Sequence, residues 1–134
     1  MNKIEHIGIA VKDLDDSSLL YERMLGYRSY KREEVESEQV ITGFFRAGES
    51  KIELLQATSP QSAIAGFIEK RGEGIHHIAF AVNDIEKEMA RLKAEGFRLL
   101  SDVPKKGADN KLVCFIHPRT ANGVLIELCQ EISG

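Results

Sequence analysis

The chain has 134 residues, 43% of them hydrophobic and 29% charged, which fits an ordinary soluble globular protein of one compact domain or two very small halves sharing a core. Its net charge of −3 supplies no overall positive field to attract nucleic acid or an acidic membrane. It opens MNKIEH, unlike a signal peptide, and no apolar run reaches the length of a membrane span, so a cytoplasmic protein is expected.

In chain order, residues 4–12 alternate as a strand does. A helix is predicted over residues 16–25, stopped by Gly26. Three strand-like runs follow, YRSYKREE, VITGFFRA and KIELLQA, with AGES as the turn between the last two. The acidic run EEVESE (33–38) reads as a solvated strand end or loop. Ser59 and Pro60 can start a linker helix with Ile64, Phe67 and Ile68 on one face, ended by Gly72 and Gly74. A strand HIAFAV begins at His77. Asn83 or Asp84 then caps a helix carrying Ile85, Met89 and Leu92, and Gly96 ends it. FRLLS, KLVCFIH and GVLIELCQ are strand-like, and PKKGADNK (104–111) has the composition of an exposed turn. Cys114 and Cys129 lie in apolar strand runs and read as small core residues of a reduced protein.

The two halves repeat each other. HIGIAVKDL (6–14) returns as HIAFAVNDI (77–85), Gly26-Tyr27-Arg28 as Gly96-Phe97-Arg98, and IELLQ (52–56) as IELCQ (126–130). Three echoes in the same order at nearly constant spacing indicate duplication of a β-α-β-β-β module of about 55 residues. The fold class is therefore α+β, a single domain over 1–134 with a first module at 1–57, a linker helix at 58–74 and a second module at 75–134.

Strand alternation assigns faces. His6, Gly8 and Ala10 share one side of the first strand, and His77, Ala79 and Ala81 share one side of its echo. The bulky set (Ile7, Ile9, Val11; Ile78, Phe80, Val82) lies against the helices, which leaves each histidine beside residues small enough to make an open space. Glu53 and Glu127, each flanked by apolar residues, point away from them. Such carboxylates are costly to bury unpartnered. A pseudo-twofold relation between the modules brings His6, Glu53, His77 and Glu127 to one divalent ion, for which Zn, Co, Mn, Ni and Fe all suit the donors. Four ligands on an octahedral ion leave two positions for a bidentate substrate. His76, opposite by parity, and His117, before Pro118, read as structural.

These features resemble the vicinal oxygen chelate superfamily, whose members include glyoxalase I, extradiol dioxygenases and methylmalonyl-CoA epimerases. The resemblance implies that the two βαβββ modules form a curved, cup-like mixed sheet with helices outside. GIHHIAFAV (74–82) and FIHPRTANGVLIELCQ (115–130) resemble the second-module signatures of the epimerases. The resemblance implies His6, His77 and Glu127 as metal ligands with Glu53 at the fourth position, where some epimerases have glutamine and glyoxalase I has glutamate. It implies epimerisation of (R)- and (S)-methylmalonyl-CoA through a metal-stabilised enolate after proton removal from C2, with Glu127 as one proton carrier. Some epimerases place the second carrier, a glutamate, in the third strand. The matching stretch QVITGFF has no carboxylate and puts Thr42 or a neighbour there, which leaves Glu53 as the substitute. The implied partner is an acyl-CoA thioester, and exposed sheet edges suggest a homodimer. Lys105, Lys106, Lys111 and Arg119 lie in or near loops and read as solvated. Two rivals remain: a glyoxalase-I-like isomerase of thiol hemithioacetals, and a metal-free small-molecule-sequestering protein. An extradiol dioxygenase is disfavoured by the short chain and by that class's three-ligand iron pattern.

Overall fold

The computed structural model describes residues 1–132. Strand β1 (Lys3–Ala10) is divided between two compact units, one formed by Met1–His6 with the chain from His77 onward, the other by Ile7–His76.

The Ile7–His76 unit contains the second half of β1, α1 (Leu14–Leu25), β2 (Lys31–Val35), β3 (Val40–Ala47), β4 (Ser50–Ala57) and α2 (Ala63–Arg71). β2, β3 and β4 form an antiparallel meander, with β1 next to β4. The Asp13 carboxylate caps α1 by accepting the Asp16 N–H, and Asp15 and Asp16 in the first turn suit the positive end of the helix dipole. Gly26 ends α1 at φ 91°, a left-handed conformation that a side chain would strain. Gly43 serves a different need: a Cβ there would meet Leu14 Cδ1 at 3.1 Å, so a bare backbone lets α1 settle onto β3. Val11, Leu14, Phe45 and Leu54 are buried together with Tyr21 and Leu25 around them.

The opposite side of this meander is packed too. Ala10, Val40, Leu55 and Ile64 form a second cluster, flanked by Phe67 and Ile68 of α2. The three apolar residues predicted to share a helical face do so, but the helix starts later than Ser59 and Pro60 suggest, with Ser62 as its cap. Ser59 instead accepts the Gln61 N–H in the preceding turn.

The other unit contains the first half of β1, β5 (Gly74–Ala81) from His77 onward, α3 (Ile85–Ala94), β6 (Lys105–Lys106), β7 (Lys111–Ile116) and β8 (Ile126–Glu131). β8 runs parallel to β5 and antiparallel to β7. Asp84 caps α3, and Ile85, Met89 and Leu92 are buried against Val82, Cys114, Ile116 and Leu128. The helix lies against the bulky side of the strands, as alternation requires.

The repeated glutamine of IELLQ and IELCQ has a structural role in both copies. Gln56 Oε1 accepts the Leu14 N–H at 2.6 Å, and Gln130 Oε1 accepts the Ile85 N–H at 2.7 Å. Each ties the last strand of its half to an orphan donor at the start of that half's helix.

FRLLS is not a strand. Leu99 makes one bridge to Ile116, and the Leu100 N–H and His117 N–H bond Phe115 and Arg98 carbonyls. The chain then turns away, Ser101 Oγ bonding the Val103 carbonyl, so the ladder ends after this brief pairing. The two-residue β6 instead falls inside PKKGADNK, where a loop was expected. Asp109 and Asn110, both at positive φ, make the return to β7, a conformation these short polar residues tolerate. YRSYKREE contributes only its second half, as β2.

Candidate metal centre

Three elements of the unit containing the termini aim their polar side chains at one point. His6 leaves β1, His77 leaves β5 and Glu127 leaves β8. β5 and β8 pair so that Ala79 stands opposite Glu127, and His77, two residues before Ala79, therefore projects from the same face. On the other flank of β8, Phe115 is paired with Glu127, and its ring lies edge-on to His77 with centroids 5.8 Å apart. Ala79, Val113 and Cys129 pack together on this face. Ala79, like Ala10, is thus wholly buried, and neither leaves the open space expected of it.

The donor atoms form a closed triangle. His6 Nε2 lies 3.0 Å from His77 Nε2 and 3.1 Å from Glu127 Oε1, and His77 Nε2 lies 2.9 Å from the same oxygen. The two rings meet edge to face. All three side chains are at least nine-tenths buried. Burial by itself pushes the Glu127 carboxyl upward, but hydrogen bonds from His6 and His77 and their positive charge overcome this and hold it well below the usual carboxylate range.

Two imidazole nitrogens and a carboxylate oxygen are a borderline donor set that suits Zn, Fe, Co, Ni or Mn. With metal–ligand distances of about 2.1 Å, ligands at right angles are about 3.0 Å apart, and those of a tetrahedron about 3.4 Å. The observed edges of 2.9 to 3.1 Å are close to these separations, so His6, His77 and Glu127 would be able to hold one cation between them.

Glu53 belongs to the other compact unit. It is buried on β4 opposite Phe44, on the strand face it shares with Thr42. Thr42 is wholly buried, and its Oγ1 is the one buried side-chain oxygen or nitrogen among the described residues with no hydrogen-bond partner. His76 lies edge-on to Phe67, and His117 Nδ1 accepts the Arg119 N–H in a turn. Cys114 and Cys129 are buried and are not joined in a disulfide. Lys105, Lys106 and Arg119 are exposed, and Lys111 is largely buried with its amine 3.9 Å from Glu131.

One polar residue of this centre escaped the sequence reading. Glu5 Oε1 lies 2.8 Å from His6 Nδ1, and both side chains are buried. Strand alternation assigns adjacent residues to opposite faces and so hid the pair. The available signal was a carboxylate placed directly before the histidine of an otherwise apolar strand.

The family model of the glyoxalase/bleomycin resistance protein/dioxygenase superfamily matches residues 5–115. The chain is 41% identical to the Bacillus subtilis protein YqjC, covering 97% of this chain and 93% of that one. It is 40% identical to the ethylmalonyl-CoA/methylmalonyl-CoA epimerase of Cereibacter sphaeroides, covering 97% and 98%. Among solved structures, a variant of Streptomyces coelicolor methylmalonyl-CoA epimerase in complex with 2-nitronate-propionyl-CoA superimposes with a TM-score of 0.95 at 33% identity, covering 99% of this chain and 96% of that one.

Proposed function

Because the chain belongs to the methylmalonyl-CoA epimerase family of the glyoxalase/bleomycin resistance protein/dioxygenase superfamily, we propose that it is a divalent-metal-dependent epimerase of methylmalonyl-CoA. The observation that carries the metal dependence is the triangle of His6 Nε2, His77 Nε2 and Glu127 Oε1, with edges of 2.9 to 3.1 Å. Among the described residues, no helix is long and apolar enough to cross a membrane. The same reading takes an acyl-CoA thioester as substrate and a cytoplasmic homodimer as the working form.

His6, His77 and Glu127 would hold the cation, with Glu53 proposed as the fourth ligand. When bound, the cation supplies a Lewis acid for the charge that develops on the thioester oxygen. The chain itself must supply the proton transfers. The C2–H bond breaks as a carboxylate takes the proton and the bonding pair moves into the thioester carbonyl. Inversion follows when a second acid returns a proton to the opposite face. Glu127 and Glu53 fill these two roles in the proposal, exchanging them with the direction of reaction. Hydrogen bonds and electrostatic attraction from the His6 and His77 imidazoles outweigh the burial of Glu127 and keep it ionised, in the form that accepts a proton.

The test is incubation of the metal-loaded protein with one epimer of methylmalonyl-CoA in heavy water. Deuterium at C2 together with appearance of the other epimer is the expected result. No uptake, with consumption of a methylglyoxal–thiol adduct instead, would transfer the chain to the hemithioacetal isomerases. Neither reaction, in a protein that takes up no metal, would leave the sequestering reading.

A further inference from the structure

We propose that Glu5 is a positioning residue of the metal centre: it accepts the Nδ1–H of His6, fixing the tautomer of that imidazole and turning Nε2 to its ligating position. This inference rests on the metal-binding reading of the preceding subsection.

The two nitrogens of His6 face two different carboxylates. Nδ1 lies 2.8 Å from Glu5 Oε1, and Nε2 lies 3.1 Å from Glu127 Oε1. An ionised carboxylate only accepts hydrogen bonds, and a neutral imidazole carries one N–H and one lone pair. For Nε2 to offer its lone pair to a cation, the ring proton must sit on Nδ1, and Glu5 is the group placed to receive it. Both partners are buried, so water does not compete for that proton. Carboxylate–histidine pairing of this kind orients the ring and strengthens the ligand.

The duplicated sequence shows that Glu5 is not simply carried by the repeat. The residue preceding the second histidine is His76, which packs against Phe67. The carboxylate is particular to the first strand.

A competing arrangement is present on the same residues. Donor atoms of Glu5, His6 and Cys129 lie within 4.8 Å of one another, close enough to be weighed as a second cation site. That cluster shares His6 with the triangle and Glu5 with the hydrogen bond to Nδ1 at 2.8 Å. A cation ligated there through Nδ1 would displace the Nδ1 proton and with it the Glu5 hydrogen bond.

The experiment strips the full-length protein of metal, reloads it with zinc and measures affinity by competition with a chelator. Glu5→Gln should weaken zinc binding 10- to 100-fold, while Glu34→Gln, at an exposed position of β2, should leave it unchanged. Equal affinity for wild type and Glu5→Gln overturns the proposal. Should Glu5→Gln fail to fold, the wild-type protein decides: nitrogen–proton correlation spectra of the zinc form must show His6 protonated at Nδ1 and bound through Nε2, and the reverse pattern refutes the assignment. Cobalt substitution adds a third readout, because thiolate-to-cobalt charge-transfer absorption that vanishes in Cys129→Ser would place the ion on the competing cluster. A wild-type chain that binds no zinc or cobalt ends both the metal reading and this inference, whereas unaltered affinity in Glu5→Gln ends this inference alone.

Discussion

The Nε2 atom of His6 and Oε1 of Glu127 lie 3.1 Å apart across 121 residues of sequence. The contact joins the first strand to the last, and Glu127 receives a second imidazole, His77, at 2.9 Å. A carboxylate shared by two buried imidazoles is the feature on which both metal retention and proton transfer are expected to depend.

Replacing Glu127 by glutamine keeps the shape and removes the negative charge. Deuterium exchange at C2 of methylmalonyl-CoA should fall by about 10²- to 10⁴-fold, the usual contribution of a positioned general base, and metal content of the purified protein should fall with it. Exchange at the wild-type rate would remove Glu127 from the proton path.

Glu53→Gln separates exchange from inversion. If Glu53 serves one face of the substrate and Glu127 the other, one epimer should still exchange its C2 proton with retained configuration while inversion drops by about 10²- to 10⁴-fold. Parallel loss or parallel survival of the two reactions, followed by chiral analysis of the deuterated product, would contradict that division of labour.

Acid should act on the metal-free protein through Glu127. Its carboxyl is held below the ordinary value in the folded state, so its contribution to stability is fully present above the unfolded value of about 4.3 and is lost as pH falls through the depressed folded value. The thermal midpoint should therefore decline progressively from about pH 5 downward, and Glu127→Gln should flatten that decline. An identical slope in the two proteins would show that other groups carry the acid sensitivity.

The two strand-to-helix glutamines should matter for stability and little for chemistry. Gln130→Ala leaves the Ile85 N–H at the start of α3 without its 2.6–2.7 Å class of partner seen in both halves. The expected loss is about 1 kcal/mol, the usual cost of a missing helix cap, read from chemical denaturation. Gln56→Ala should behave the same way at α1, and activity per folded molecule should be unchanged in either variant.

Thr42 carries the buried unpartnered hydroxyl. Thr42→Val removes it with little change of shape and should be neutral or stabilising by about 1 kcal/mol. A fall in C2 exchange without a fall in stability would instead mean that this hydroxyl meets the substrate.

Local pattern was enough to read much of the fold. The spacing of Ile85, Met89 and Leu92 marked α3 and its buried face, Asn83 or Asp84 marked its start, where Asp84 is the cap, and alternation placed Phe80, Val82 and Leu128 opposite the polar set, whereas α1 begins at Leu14 on an Asp13 cap, ahead of the expected residue 16. The three echoes exposed the duplication and singled out His6, His77, Glu53 and Glu127, because polar residues repeated inside apolar strands are costly without a purpose. The failures share one cause. FRLLS has strand composition, but pairing is a property of two segments, and Leu99 finds its partner in β7 only briefly before the turn at Ser101. Ala10 and Ala79 are small in sequence, yet Ile64 of α2 and Val113 of β7 fill the space beside them. Distance is likewise absent from a linear pattern. Alternation states which face His6 occupies, but the register of Ala79 opposite Glu127 and the course of β1 decide that three donor atoms meet within 3.1 Å. The same packing turns Glu5 back to His6 Nδ1 against the rule that neighbours in a strand diverge. Composition and periodicity act residue by residue along the chain, whereas a ligand triangle is set by the long-range packing of segments that the sequence holds up to 121 positions apart.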